Sequence, residues 1–302
     1  MVEKQKCLLK ASPPFSLDLS MRATQPAAPA TYENGVLARA LRLSNGRLVP
    51  VEVRQIGDSE NPIVEVELLA KVDGKERREI VKMLDRFLCL SDDLKPAHKI
   101  MQRDPVLNSI LEKLCAVRPW TSLNAYESMI CGVLFQQISL NAAFSIIRSL
   151  VLGLGDSVVV GDRIYYDFPR PEALARASIE RLRACRLSRN KAVYVKGIAQ
   201  AIVEGFNPEQ LGKMPLDEAL EVLRGFKGIG LWTAELILAT GLKRWEVVPA
   251  DDLGIRRAVS RFYMGGKTAS ANDVREVAEA WGPYKWPIAY YLLVASERMQ
   301  RL

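Results

Sequence analysis

Two small groups of residues between positions 223 and 259 have the types and spacing to do chemistry. The first is Gly228-Ile229-Gly230, preceded by Phe226 and Lys227 and followed by the run LWTAELILA. Glycine admits positive φ and lets another backbone come close. Amides at Gly228, Gly230 and Leu231 fall where a helix begins, and first-turn amides have no partner inside their helix. Such a turn is a ready site for an anion, with the Lys227 charge beside it. The same pattern also describes an ordinary helix-turn-helix packing unit, and the hairpin alone does not separate the two. The second group is Asp251-Asp252, placed after Val247, Val248, Pro249 and Ala250 and before LGIRRAVSRFYM. Aspartate at a helix start satisfies free amides and the dipole, so one of the two is expected to be only a cap. A carboxylate held there also stays ionised, which suits a group that stabilises a developing cation.

These groups need elements to hold them. LDEALEVL at 216–223 has the apolar spacing of a short helix, ended by Gly225. LWTAELILA continues as a helix with hardly a polar face, which marks it as buried. From Pro105, a natural first helical residue, the pattern reads as helical to the end. The segments are DPVLNSILEKLCAV, AYESMICGVLFQQIS, LNAAFSIIRSLVLGLG, PEALARASIERLRAC, SRNKAVYVKGIAQAIVEG, LDEALEVL, the hairpin and three further helices. Before Pro105 the text is different. FSLDLSM alternates like a strand, and TQPAAPA is a linker or loop. Asn45-Gly46 marks a β-hairpin between VLARALRL and RLVPVEVRQI. PIVEVELLA alternates as a further strand, and KERREIVKMLDRFLCL is an amphipathic helix. The expected fold is α+β: a small antiparallel-sheet domain at 1–104, then a mainly α-helical domain at 105–302 with two subdomains, a cleft and the hairpin motif at about 216–241.

The chain has 302 residues, 49% of them hydrophobic and 25% charged, as in a soluble globular protein. A net charge of +7 suits a polyanionic partner without identifying one. Five scattered cysteines argue against a zinc or iron–sulfur centre and fit a reducing compartment. The single histidine, His98, lies in a polar stretch and is expected to be solvated, which removes most support for histidine-based catalysis. No apolar run is long enough for a membrane span, and the first residues do not form a signal peptide.

The order GFKGIG, WTAELILATG, VPADDLGIRRAV resembles the helix-hairpin-helix, Gly/Pro-rich loop, Asp superfamily of base-excision DNA glycosylases. Gly228-Ile229-Gly230-x-Trp232-Thr233-Ala234 is most similar to its alkylpurine branch, 3-methyladenine DNA glycosylase II. The resemblance puts Asp252 at the catalytic position, registered by Asp252-Leu253-Gly254 after a short Pro249-led loop. The adjacent Asp251 leaves a register one residue earlier open. Lyase-competent members carry a lysine two residues after the second hairpin glycine. Trp232 stands there, so the resemblance implies simple hydrolysis with no Schiff base. Trp232, Leu236 and Leu253 match the substrate pocket, the last two aliphatic where relatives have rings. Tyr284, Trp286, Tyr290 and Tyr291 are candidates to replace those rings, although core packing is the default for them.

Further roles follow from the same resemblance. Gln137, with Gln136 beside it, matches the residue that fills the gap left by a flipped base. Arg189 and Lys191, in the turn LSRNKA, join Lys227, Gly228 and Gly230 as DNA contacts, with Arg256 and Arg257 weaker candidates. Backbone carbonyls of Arg224, Phe226 and Ile229 match those that hold a monovalent cation, sodium or potassium, against a phosphate. No catalytic metal or organic cofactor is implied. The expected activity is hydrolysis of the N-glycosidic bond of alkylated purines in damaged double-stranded DNA, by an intracellular monomer with no membrane association. Alternatives are a glycosylase for hypoxanthine, uracil or an oxidised purine, a non-enzymatic DNA-binding protein, and a helical scaffold.

Overall fold

The computed structural model describes residues 4–297. Its first third is a five-stranded antiparallel sheet of β1 (Gln5–Lys10), β2 (Thr31–Glu33), β3 (Val36–Arg42), β4 (Leu48–Gln55) and β5 (Ile63–Leu68), in the order β1-β5-β4-β3-β2. The Asn45-Gly46 turn joins β3 to β4, with Gly46 at φ +84°. α1 (Leu17–Thr24) and α2 (Gly74–Leu88) share the sheet's apolar core. Asp73 and Glu76 close a capping box at the start of α2. The stretch expected to be a strand, FSLDLSM, is instead mostly α1. The Ser16 side chain accepts from the Leu19 amide, and Leu17, Ser20 and Met21 then fall on one buried face. Alternation and helical spacing coincide over so short a run, and the cap decides between them. β1, which carries no clear sequence signal, pairs only with β5 and buries alternate residues partially, as an edge strand does.

The remainder is α3 (Lys95–Met101), α4 (Pro105–Leu114), α5 (Ala125–Phe135), α6 (Leu140–Leu154), β6 (Ser157–Val160), β7 (Arg163–Tyr166), α7 (Pro171–Arg176), α8 (Ile179–Ala184), α9 (Arg189–Val203), α10 (Leu216–Arg224), α11 (Leu231–Gly241), α12 (Leu253–Tyr263), α13 (Ala271–Glu279) and α14 (Lys285–Glu297). The β6–β7 hairpin corrects the all-helical expectation beyond Pro105. Its Val158, Val160 and Tyr165 pack against Ala38, Ala40 and Leu69 of the first third. Arg163 and the Tyr165 hydroxyl both donate to Glu52, at 2.6 and 2.7 Å. Two helical cores lie beyond the sheet, and α11 serves both. Leu236 and Ala239 face the core built with α4, α12 and α14, while Ala234, Ile237 and Leu238 face the core built with α5, α6 and α9. Every residue of α11 from Thr233 onward is buried. Close contact with α5 is made at Gly241, where a Cβ would meet that of Ser128 at 2.6 Å. Among the described residues no helix is long and apolar enough to cross a membrane.

His98 is not solvated. It is 8% exposed, and its Nε2 lies 3.2 Å from the Tyr291 hydroxyl. That hydroxyl already donates to the Val117 carbonyl at 2.9 Å, so the histidine must be the donor of the pair. Burial, reinforced by the Arg118 charge, pushes its pKa down to about 4 from 6.5. Between those values the unfolded chain takes up a proton that the folded chain refuses, so stability falls as pH drops through that window. The expected outcome is a melting temperature that declines from pH 7 to pH 4.5 more steeply in the wild type than in His98→Gln, which keeps the donor and loses the charge. Parallel thermal melts of the two proteins check it.

Candidate functional site

The glycine hairpin forms the junction of α10 and α11. Gly225 ends α10, as expected from the sequence, and does so in right-handed geometry, at φ −64°. The left-handed residue is Gly228, at φ +89°. A Cβ there would also sit 2.2 Å from the Tyr194 ring, so both conformation and space require glycine. Gly230 is the N-cap of α11, exposed and with nothing within 4 Å of a built Cβ. The hairpin borders a cleft of about 920 Å³ shared with Ser188, Asn190 and Lys191 at the start of α9. Two helix N-termini therefore open onto one basic cleft, a favourable setting for phosphate. Lys227 and Arg189 are exposed beside it.

The chain leaves α11, turns back through residues 242–252 and brings the acidic pair to the same place. Asp252 is the N-cap of α12: its Oδ1 accepts from the Gly254 and Ile255 amides at 2.9 and 3.0 Å. It is half-buried on the wall of a second cleft, and Asp251 is exposed beside it. Beneath this loop lies Glu235 of α11, 6% exposed, bonded to Arg275 at 2.9 Å. Burial raises its pKa, while Arg275 and a bond from the Ala250 backbone oppose that rise. Nothing in the sequence marks Glu235, since a lone acid in an apolar helix has no motif around it.

The second cleft, about 890 Å³, is continuous with the first: Gln137, Trp232 and Asp251 line both. Leu236, 7% exposed, also lines it, and Leu253, 62% exposed, stands at its rim. Of the four C-terminal aromatics considered, Trp286 and Tyr290 line the cleft. Tyr291 is committed to His98 and Val117, and Tyr284 packs in the core. Trp120, Phe135 and Phe144 add rings, with Phe135 edge-on to both Trp120 and Phe144. The far wall comes from the sheet domain, through Thr24, Gln25 and residues 26–30. Thr24 shares a 3.0 Å hydrogen bond with Tyr290, joining that wall to α14. The first third contributes this wall because the loop after α1 folds across onto the helical domain.

Other candidates are engaged within the chain. Gln136 donates to the Gly228 carbonyl at 2.7 Å and to Thr233 Oγ1 at 2.9 Å. Lys191 donates to the carbonyls of Leu134 and Gln136, both at 2.8 Å, and burial lowers its pKa. The structure therefore gives both side chains internal partners, where the sequence suggested contacts with DNA. Arg256 bonds the Ala269 carbonyl, while Arg257 is exposed at the second cleft. Gln137 is exposed and, unusually for a side-chain-bearing residue, has φ +56°. Of the three carbonyls considered for a cation, that of Phe226 also accepts from the Ile229 amide at 3.0 Å. Arg224, Phe226 and Ile229 all line the hairpin cleft.

The two glycines give a contrast. Gly228→Ala is expected to distort the hairpin and lower affinity for a phosphate-bearing duplex at least tenfold, with helical content retained. Gly230→Ala is expected to leave the melting temperature unchanged. Circular dichroism melts and duplex titrations of both variants check this.

Residues 130–283 match the family described as HhH-GPD superfamily base excision DNA repair protein. The chain is 27% identical over 261 residues to the DNA-3-methyladenine glycosylase of Bacillus subtilis, covering 86% of each. It is 32% identical over 174 residues to DNA-3-methyladenine glycosylase 1 of Schizosaccharomyces pombe, covering 57% of this chain and 72% of the relative. Among solved structures, the 3-methyladenine DNA glycosylase from Archaeoglobus fulgidus superposes with a TM-score of 0.87 at 32% identity, covering 97% of this chain and 99% of the other. The matched segment runs from α5 to the turn before α14 and holds the hairpin, α11 and the acidic loop together, and the chain belongs to the HhH-GPD superfamily of base excision DNA repair proteins.

Proposed function

We propose that the protein is a monofunctional DNA glycosylase that hydrolyses the N-glycosidic bond of alkylated purines in double-stranded DNA, acting as a monomer. The observation that carries this is the placement of Asp252 on the wall of the ring-lined cleft, next to Asp251, which borders both that cleft and the basic one lined by free helix ends. The names of the relatives point the same way. A base inside a duplex must leave the stack before its glycosidic bond can be reached. The hairpin amides grip the backbone, Gln137 enters the gap, and the base turns into the aromatic cleft. Alkylation at a ring nitrogen leaves the purine cationic, and an aromatic face attracts a cation by about 0.5–2 kcal/mol. Trp232, Trp120 and Tyr290 are placed to supply such faces.

The reaction needs little acid help, because a cationic base departs with the bonding electron pair and becomes neutral. The sugar is left as an oxocarbenium-like cation, and the Asp252 carboxylate stabilises it. Water then adds to C1′ and loses a proton. The two amides on Oδ1 fix the carboxylate in place. No lysine lines the second cleft among the described residues, and Trp232 fills the position that a Schiff-base lysine would need. Both facts support hydrolysis without strand cleavage. At the hairpin, the Arg224, Phe226 and Ile229 carbonyls would hold a monovalent cation against a phosphate. That ion would neutralise backbone charge and take no part in bond cleavage.

Asparagine is as good a helix cap as aspartate, so Asp252→Asn removes the charge and keeps the fold. On duplex DNA treated with a methylating agent, Asp252→Asn is expected to release alkylpurines at least about 100-fold more slowly than wild type. Asp251→Asn is expected to stay within a few-fold of it. An inactive Asp251→Asn beside an active Asp252→Asn would move the catalytic role by one residue. Base release from oligonucleotides bearing hypoxanthine, uracil or 8-oxoguanine but not from methylated DNA would reassign the lesion. A wild type that binds the duplex and releases nothing would make it a binding protein.

A further inference from the structure

We propose that Gln136 and Lys191 are positioning residues that tie the Gln137 turn to the hairpin, so that gripping the backbone and filling the gap occur as one event. This rests on the glycosylase reading above. The carbonyls at the end of α5 have no partner inside the helix, and the Lys191 ammonium donates to two of the carbonyls there, of Leu134 and Gln136, at 2.8 Å each. The Gln136 amide nitrogen has two hydrogens, and its two bonds both reach across the chain, to the Gly228 carbonyl at 2.7 Å and Thr233 Oγ1 at 2.9 Å. Gly228 is the left-handed residue of the hairpin, and Thr233 lies in the first turn of α11.

The third element closes the tie. Tyr194, one turn beyond Lys191 on α9, packs so tightly on Gly228 that no Cβ fits there. The end of α5, the start of α9 and the hairpin are thus locked at one point. The next residue beyond that point is Gln137, exposed, at φ +56°, and lining both clefts. A side-chain-bearing residue persists in that conformation when its surroundings over-determine it, and the bonds of Gln136 and Lys191 do so. Neither side chain needs to touch DNA: removing either frees the Gln137 turn to shift relative to the hairpin, and small displacements of a catalytic arrangement cost rate steeply.

The test uses a duplex holding one 7-methylguanine next to a 2-aminopurine reporter, with protein in saturating excess. Wild type is expected to brighten the reporter by unstacking it and to release the methylated base. Gln136→Leu and Lys191→Met, each first shown by thermal melt to be folded, are expected to brighten it less and to release the base at least about tenfold more slowly even when binding is saturated. Because both act on one tie, the double variant is expected to be no slower than the slower single variant. Variants that unstack and release like wild type once bound would overturn the proposal. So would effects that multiply in the double variant, or a wild type that binds without brightening the reporter. A wild type that brightens the reporter but releases no base refutes the glycosylase reading alone, and the tie is then judged on the brightening of wild type against the variants.

Discussion

Helix α11 is packed on all sides from Thr233 to Gly241, between two separate hydrophobic cores, and the geometry of the site depends on that immobility. Its N-terminus presents the hairpin amides. Its first turns supply Trp232 and Leu236 to the ring-lined cleft, and Glu235 bonds Arg275 of α13. The hairpin and one wall of the cleft are therefore both indexed to one rigid rod. A helix of this kind has no solvated face along which to slide, and interiors packed at crystal-like density resist such shifts.

Several polar groups at the site are engaged in holding the fold. Asp252 closes the first turn of α12 through the Gly254 and Ile255 amides and stands on the wall of the cleft. Lys191 and Gln136 are engaged as well. In sequence they look like surface groups for a polyanion, and in the fold their hydrogen bonds terminate on backbone carbonyls. Lys196 behaves in the same way, with its ammonium on the carbonyls of Ala175 and Ala177. Free positive charge is left to groups such as Arg189 and Lys227, whose exposure suits long-range attraction of a charged duplex.

The cleft also shows why the small sheet domain belongs to the working part of the molecule. Residues 26–30 close one side of the ring-lined cleft, and the Thr24–Tyr290 bond holds that side to α14. The β6–β7 hairpin adds a second attachment on the sheet through Glu52. A third is buried: Arg39 of β3 donates to Glu127 of α5 at 2.9 Å. Contacts so distributed fix the wall relative to the helices.

The sequence by itself determined the hairpin, the buried helix after it and the acidic cap, because glycine conformation, apolar periodicity and capping are local rules that act over a few residues. It also gave the strands around Asn45-Gly46 and most helices. It misassigned FSLDLSM and hid β1 and the β6–β7 hairpin, since short segments satisfy two periodicities and only their packing partners choose. Tertiary structure alone decided that His98 is buried, that Gln136 and Lys191 face inward, and that rings from Trp120, Phe135, Phe144, Trp286 and Tyr290 meet in one cleft. Those facts join residues as much as 266 positions apart, as in the Thr24–Tyr290 pair. Which distant side chains become neighbours is set by how whole elements bury their apolar faces together, and no local pattern encodes that.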